Sequence, residues 1–217
     1  MFIIVLSLVK FGIMQTNLFQ SPNANLLPYD GEVHYFSPLI NAQHCQRLLQ
    51  NLLQEISWQP DELIMFGKPI VTKRKMAWVA DEGVTYRYSG RTKQPINWTP
   101  ALQEIKQLIF DKTRQSFNSC LLNLYHNGEE GMGWHSDDEK ELGMPNCIAS
   151  FSLGAARSFC FKHKQTKKQI SLLLEAGSLL LMRGYTQQHW QHALPKTAAI
   201  KHPRINLTFR TILNLSS

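Results

Sequence analysis

The order of periodic segments in this 217-residue chain predicts an α+β domain. Three observations carry that reading. Two segments of helical period come first, opening at Ser37-Pro38 and at Thr99-Pro100. After Cys120 the chain breaks into short strand-like runs at 121–125, 147–153, 158–162, 169–174, 178–182 and 205–213. No internal repeat interrupts this order, so the strand-rich half can close into a sandwich of two sheets packed against the helices.

Each element has a local cause. Met1-Phe2-Ile3-Ile4-Val5-Leu6-Ser7-Leu8-Val9 is apolar but too short to cross a bilayer as a helix. It lacks a basic leading stretch and a small-residue cleavage site, so it does not read as a signal peptide. It reads as an over-extended frame or a small appended apolar segment, with Met14 a second possible start. Residues 15–32, rich in Asn, Pro, Ser and Gln, form an irregular arm, and a single domain follows over 33–217. Ser37 offers a capping hydroxyl and Pro38 a first helical residue. Leu39, Cys45, Leu48, Leu49, Leu52 and Ile56 then keep helical spacing as far as Trp58. Thr99-Pro100 repeats the signal, with Leu102, Ile105, Leu108 and Ile109 as the apolar stripe. Between the helices, Met65 to Ser89 is β-like with turns.

Hydrophobic content of 43% fits a globular protein. A net charge of +7 and a pI near 9.3 favour a polyanionic partner. Cys45, Cys120, Cys147 and Cys160 contain no C-x-x-C pair, which speaks against a zinc ribbon or a disulfide framework and for a reducing compartment.

The chemistry concentrates in three places. His135 and Asp137, in Trp134-His135-Ser136-Asp137, form an H-x-D pair, and His192 follows in Trp190-Gln191-His192-Ala193. Two imidazoles and a carboxylate make a facial triad with open positions, which suits non-haem Fe(II). On a strand, residues two apart share a face, so His135 and Asp137 can grip one ion. An H-x-D alone arises often by chance. His189 competes for the third position, but on a strand its odd offset from His192 points it to the opposite face. Arg204-Ile205-Asn206-Leu207-Thr208-Phe209-Arg210 alternates strictly, placing Arg204, Asn206, Thr208 and Arg210 together. That face is either an ordinary solvated strand surface or a pocket wall for an anion, since a guanidinium pairs a carboxylate through two parallel hydrogen bonds. Asn123 and Tyr125 share a face of Leu121-Leu122-Asn123-Leu124-Tyr125, where an amide and a phenol serve either structure or a small polar ligand. His126 and His163 read as solvated loop residues.

Together these segments resemble the AlkB family of Fe(II)/2-oxoglutarate nucleic-acid dealkylases, nearest the branch with the second and third human homologues. The matching stretch runs from about Phe66 to Leu213. It includes Asn123-Leu124-Tyr125, Trp134 to Glu139, Ile148-Ala149-Ser150-Phe151-Ser152-Leu153-Gly154, Gly177-Ser178-Leu179-Leu180, Trp190 to Pro195 and the arginine strand.

The resemblance implies a double-stranded β-helix, or jelly roll, over about 120–215, N-terminal helices on one sheet, and a substrate-recognition part over about 60–95. It implies that His135, Asp137 and His192 hold Fe(II), and its Trp-x-His context favours His192 over His189. It implies 2-oxoglutarate and O2 as co-substrates. Arg204 would pair the distal carboxylate, and Arg210, Asn123, Tyr125 and Thr208 would complete that pocket. The implied substrate is alkylated DNA, single- or double-stranded, carrying N1-methyladenine or N3-methylcytosine, with RNA or another substrate as the alternative. Phe66, Gly67 and Lys68 resemble a finger that wedges into the base stack, although a buried hairpin Phe is an equal reading of Phe66. Arg74 would contact DNA. Tyr88, in the Tyr86-Arg87-Tyr88 run, would stack on the flipped base opposite His135. Glu139, beside Asp138, would read the exocyclic amine. The run Lys162-His163-Lys164-Gln165-Thr166-Lys167-Lys168 suits a hairpin tip contacting phosphates or plain solvated surface. A cytoplasmic monomer without membrane association completes the expectation.

Overall fold

The computed structural model describes residues 24–65, 68–84, 86–88, 91–93 and 95–213. Helix α1 spans Ala42–Glu55 and α2 spans Pro100–Thr113. Helix α2 starts where the sequence places it, with the Thr99 hydroxyl accepting the Leu102 N–H and Pro100 in the first turn. Helix α1 starts one turn later than Ser37-Pro38 suggests. Asn41 is the cap, accepting the His44 N–H, while the Ser37 hydroxyl donates to Glu175.

The strands are β1 Glu32–Phe36, β2 Gln59–Met65, β3 Lys68–Ala80, β4 Tyr86–Tyr88, β5 Arg91–Lys93, β6 Ser119–Tyr125, β7 Met132–His135, β8 Asn146–Gly154, β9 Arg157–His163, β10 Gln169–Leu174, β11 Leu179–Gly184, β12 Trp190–Leu194 and β13 Arg204–Arg210. A helical turn, α3, covers Thr186–His189. Seven strands form one antiparallel sheet in the order β1-β11-β8-β13-β6-β3-β2, and four form a second in the order β10-β9-β12-β7. Strands β4 and β5 pair separately. Strand β13 stops short of residue 213, because Ile212 and Leu213 turn their N–H groups to Asn118 and to Glu141.

The register explains how one sheet serves both a core and a site. On one face, Ile205, Leu207 and Phe209 of β13 sit beside Cys120, Leu122 and Leu124 of β6 and Ala149, Phe151 and Leu153 of β8. Cys45, Leu48, Leu49 and Leu52 of α1 and Leu102, Ile105 and Ile109 of α2 cover this face as one buried cluster. The other face meets the four-stranded sheet, where Val33, Ile148, Leu180 and Met182 pack with Phe159, Phe161, Leu174, Trp190 and Leu194. These two facing sheets, backed by helices on one side, form the jelly-roll core. Gly154, opposite Arg204, holds φ +84 against the Pro203 carbonyl, where a side chain would collide.

Among the described residues, no helix is long and apolar enough to cross a membrane. Part of the arm, residues 24–31, packs on the smaller sheet: Leu27 is buried and the Tyr29 carbonyl accepts the Trp190 indole N–H.

Phe209 is fully buried, stacked on Trp98 with ring centroids 6.1 Å apart. Phe209→Ala should cost about 3–5 kcal/mol of stability, read from denaturant unfolding.

Candidate active site

His135 and His192 face each other directly across β7 and β12, with ring centroids 4.3 Å apart. Asp137 reaches them differently from the expectation of a shared strand face, because β7 ends at His135. The Asp137 backbone N–H instead donates to the Gln187 side chain, and its carbonyl accepts from Asn146. The three side chains bring their ligand atoms within 4.8 Å of one another.

The surroundings prepare each ligand. His135 Nδ1 lies 2.8 Å from the Gly133 carbonyl, so that nitrogen donates, and in the neutral ring the lone pair is on Nε2. Burial, then the neighbouring His135, hold the His192 pKa down to about 3, so His192 is a neutral donor at neutral pH. Burial pushes the Asp137 pKa upward, but Arg210, His192 and His135 outweigh it and hold the pKa at about 2. Arg210 Nη2 lies 2.8 Å from Asp137 Oδ2, while Oδ1 faces His135 Nε2 at 3.8 Å. One carboxylate oxygen is tied back, and the other is turned toward the imidazoles. Asp137 and His192 are thus held in the deprotonated form that a divalent metal requires, and two imidazoles with one carboxylate oxygen match the Fe(II) donor set.

A cavity of about 250 Å³ opens beside these ligands, lined among others by Asn123, Tyr125, Arg204, Thr208 and Arg210. The polar face of β13 is therefore a buried pocket wall and not a solvated surface. Arg204 is 2% exposed and donates to Ser152 and Asn206, yet its Nε and Nη1 have no partner among the described residues. Burial lowers its pKa to about 10, which leaves it cationic at neutral pH. A buried cation with two spare donors calls for an anion, and a carboxylate fits the guanidinium fork. Asn206 also accepts from Ser150 and donates to Thr208. Arg210, expected among the carboxylate contacts, lines the cavity with its guanidinium committed to Asp137.

Other expected residues divide. Glu139 lines the cavity, whereas Asp138 is exposed, 3.4 Å from the Lys164 ammonium. Arg74, expected at DNA, is 4% exposed and ion-paired with buried Asp61. Its side chain is held inside the protein by that ion pair. Phe66 and Gly67 lie outside the described residues. Lys68, Tyr86, Arg87 and Tyr88 are placed only as strand backbone, in β3 and β4.

Asn206 stands on the face of β13 that the sequence offers as a pocket wall, while Ser150 and Ser152 of β8, which support it, are marked only by the alternation of their strand. Met132, Phe159, Met182 and Leu194 complete the cavity wall, and they carry no local signal because strand pairing alone gathers them. His163 corrects another expectation, being 1% exposed and not a solvated loop residue. With Asp30 and His189 it makes a second trio of possible ligands within 4.8 Å. Its Nδ1, however, accepts the Thr166 N–H, so the ring proton of neutral His163 is on Nε2, which faces Asp30 at 3.3 Å. A ligand nitrogen needs the opposite tautomer, so this trio is not arranged as a second metal centre. His189 belongs to it and not to the first triad.

Arg210→Ala should lower divalent-metal affinity about 10–100-fold, as loss of such outer partners does elsewhere. Mn(II) titration of the full chain reads it, and unchanged affinity would show that the ion pair does not set the ligand.

The sequence pattern of the 2OG-Fe(II) oxygenase superfamily matches residues 32–210. The chain is 37% identical over 205 residues to the mouse protein named DNA oxidative demethylase ALKBH2, covering 89% of this chain and 86% of the relative. It is 38% identical to the human protein of that name, over 82% of this chain and 72% of the relative. It is 36% identical to the human alpha-ketoglutarate-dependent dioxygenase alkB homolog 3, over 80% of this chain and 63% of that one. Among solved structures, "The structure of OsALKBH1" shares the fold, with a TM-score of 0.58 at 16% identity over 82% of this chain and 97% of that one. Two imidazoles beside a buried carboxylate, an arginine awaiting an anion and these similarities lead to one conclusion: the chain belongs to the 2OG-Fe(II) oxygenase superfamily, within its AlkB branch.

Proposed function

We propose that this protein repairs DNA by oxidative demethylation of N-alkylated bases, with N1-methyladenine and N3-methylcytosine as substrates. One observation carries the reading: the acid Glu139 lines the same cavity as His135, Asp137, His192 and Arg204. A base whose exocyclic amine donates to Glu139 thereby has its edge near the metal ligands. Relatives named as DNA oxidative demethylases support this substrate class. The net charge of +7 favours a polyanion.

His135, Asp137 and His192 would hold Fe(II), and Arg204 would hold the distal carboxylate of 2-oxoglutarate. When bound, Fe(II) with 2-oxoglutarate and O2 supplies the oxidation of the N-methyl carbon, which leaves as formaldehyde with succinate and CO2 as co-products. The chain does the rest. Arg210 keeps Asp137 ionised and oriented. Ser152 and Asn206 hold the Arg204 fork in place. Phe159 stacks on His192 at 5.4 Å and, with Met182 and Leu194, keeps the wall dry. An alkylated base would be flipped out of the stack to reach the ligands. The Lys162–Lys168 turn, between β9 and β10, supplies a basic surface suited to phosphates. We place the protein in the cytoplasm, acting as a monomer.

Incubating an N1-methyladenine oligonucleotide with the protein, Fe(II), 2-oxoglutarate and ascorbate should remove one methyl mass. Single-stranded and duplex forms report strand preference, and Asp137→Ala should abolish the reaction. Succinate formed without methyl loss would keep the iron chemistry and reject this substrate. Arg204→Ala should cost about 3–5 kcal/mol in co-substrate binding, since it leaves a buried carboxylate unpaired. An unchanged KM for 2-oxoglutarate would remove Arg204 from that role.

A further inference from the structure

Tyr125 stands in a row of side chains that crosses the larger sheet. The β6–β13 register sets it opposite Arg204. The β3–β6 register, in which Lys75 faces Leu124, sets Arg74 on its other side. Arg74 is sealed in: its guanidinium pairs with the carboxylate of Asp61, which is 1% exposed. Arg74 Nη1 lies 3.1 Å from Met132 Sδ, and Cζ lies 6.0 Å from the Tyr125 ring centroid. Tyr125 and Met132 both line the cavity, and Arg74 backs them. On the same ring, Arg157 Cζ lies 5.9 Å away, with its guanidinium donating to the carbonyls of Asn127, Gly128, Glu130 and Pro195.

The donor inventory decides what Arg74 does to Tyr125. Burial pulls the Arg74 pKa down, but the adjoining Tyr125 phenol and the Asp61 carboxylate raise it above the ordinary arginine value. A guanidinium has donors and no acceptor. In a hydrogen bond between the two, the phenol oxygen must therefore accept, and its own O–H is left to donate elsewhere. Across the row stands Arg204, with two unpartnered donors waiting for an anion.

We propose that Arg74 is a positioning residue for the co-substrate: it donates to the Tyr125 oxygen and steadies Met132, so that the phenol O–H is aimed at a carboxylate of 2-oxoglutarate held beside Arg204. This rests on the 2-oxoglutarate pocket described above, and it gives Arg74 a role distinct from the DNA contact implied by resemblance. Arg74 acts through Tyr125, so its effect belongs to co-substrate affinity and not to DNA affinity.

The test is equilibrium binding of 2-oxoglutarate to the full chain loaded with Mn(II), read by calorimetry without turnover. Arg74→Lys keeps a charge facing Asp61 but loses the fork, and should weaken 2-oxoglutarate binding about tenfold, the scale of one hydrogen bond to a charged group. Tyr125→Phe should weaken it comparably, and the double variant should bind no worse than Tyr125→Phe alone. Anisotropy of a labelled N1-methyladenine oligonucleotide should show unchanged DNA affinity for Arg74→Lys. Unchanged 2-oxoglutarate affinity, additive effects in the double variant, or lost DNA affinity with intact co-substrate binding would each overturn the proposal. If Arg74→Lys does not fold, Asp61→Asn combined with Arg74→Gln removes both charges together and carries the same expectations. The calorimetric readout needs no alkylated base, so failure of the demethylation assay would leave the positioning role of Arg74 standing.

Discussion

Strand β13 lies in the middle of the larger sheet with both faces covered, by helices on one side and by the smaller sheet on the other. Its polar residues therefore cannot turn to bulk water, and each must find a partner inside the protein or bring a ligand in. Arg210 finds Asp137. Asn206 and Thr208 find each other. Among the described residues, Arg204 reaches only neutral oxygens on Ser152 and Asn206 and keeps two donors in reserve. Anion recognition is the remainder of that accounting.

The same constraint orders the metal ligands. The two histidines are contributed by adjacent strands of the smaller sheet. The carboxylate sits on the loop after β7 and is tied to an arginine from the larger sheet. Buried cations near the cavity are handled in three ways: Arg74 has a carboxylate, Arg157 a ring of carbonyls, and Arg204 only neutral side-chain oxygens, with both Nε and Nη1 unmatched among the described residues. The last faces the cavity with two donors to offer, and it lies opposite the phenol that the other two flank.

Much of this was legible in the chain because it is written in short periods. The strict alternation of 204–210 gave β13 and the shared face of its arginines, and Thr99-Pro100 gave the start of α2. Helix α1 begins one turn after Ser37-Pro38 because the Asn41 side chain caps it, while the Ser37 hydroxyl is spent on Glu175, a residue distant in sequence. The Arg210–Asp137 pair was invisible because it joins a strand of the larger sheet to a loop of the smaller one. The same holds for Phe159 and Met182, whose place in the cavity depends on which strands face each other. His163 misled because a histidine in a lysine-rich turn looks solvated, and the arm residues Tyr29 and Asp30 that cover it are distant in sequence.

His135 and His192 belong to the smaller sheet, whereas Asp137 is anchored through Arg210 to the larger one. An ion held by all three would act as a rivet between the two layers. A ligand that binds only the folded state adds its binding free energy to stability, and here that energy falls across the seam where the sheets meet. Loss of the metal would be felt first as a loosening of the sandwich at its mouth, where the substrate enters. Loading state and mechanical integrity are thus one property of this site.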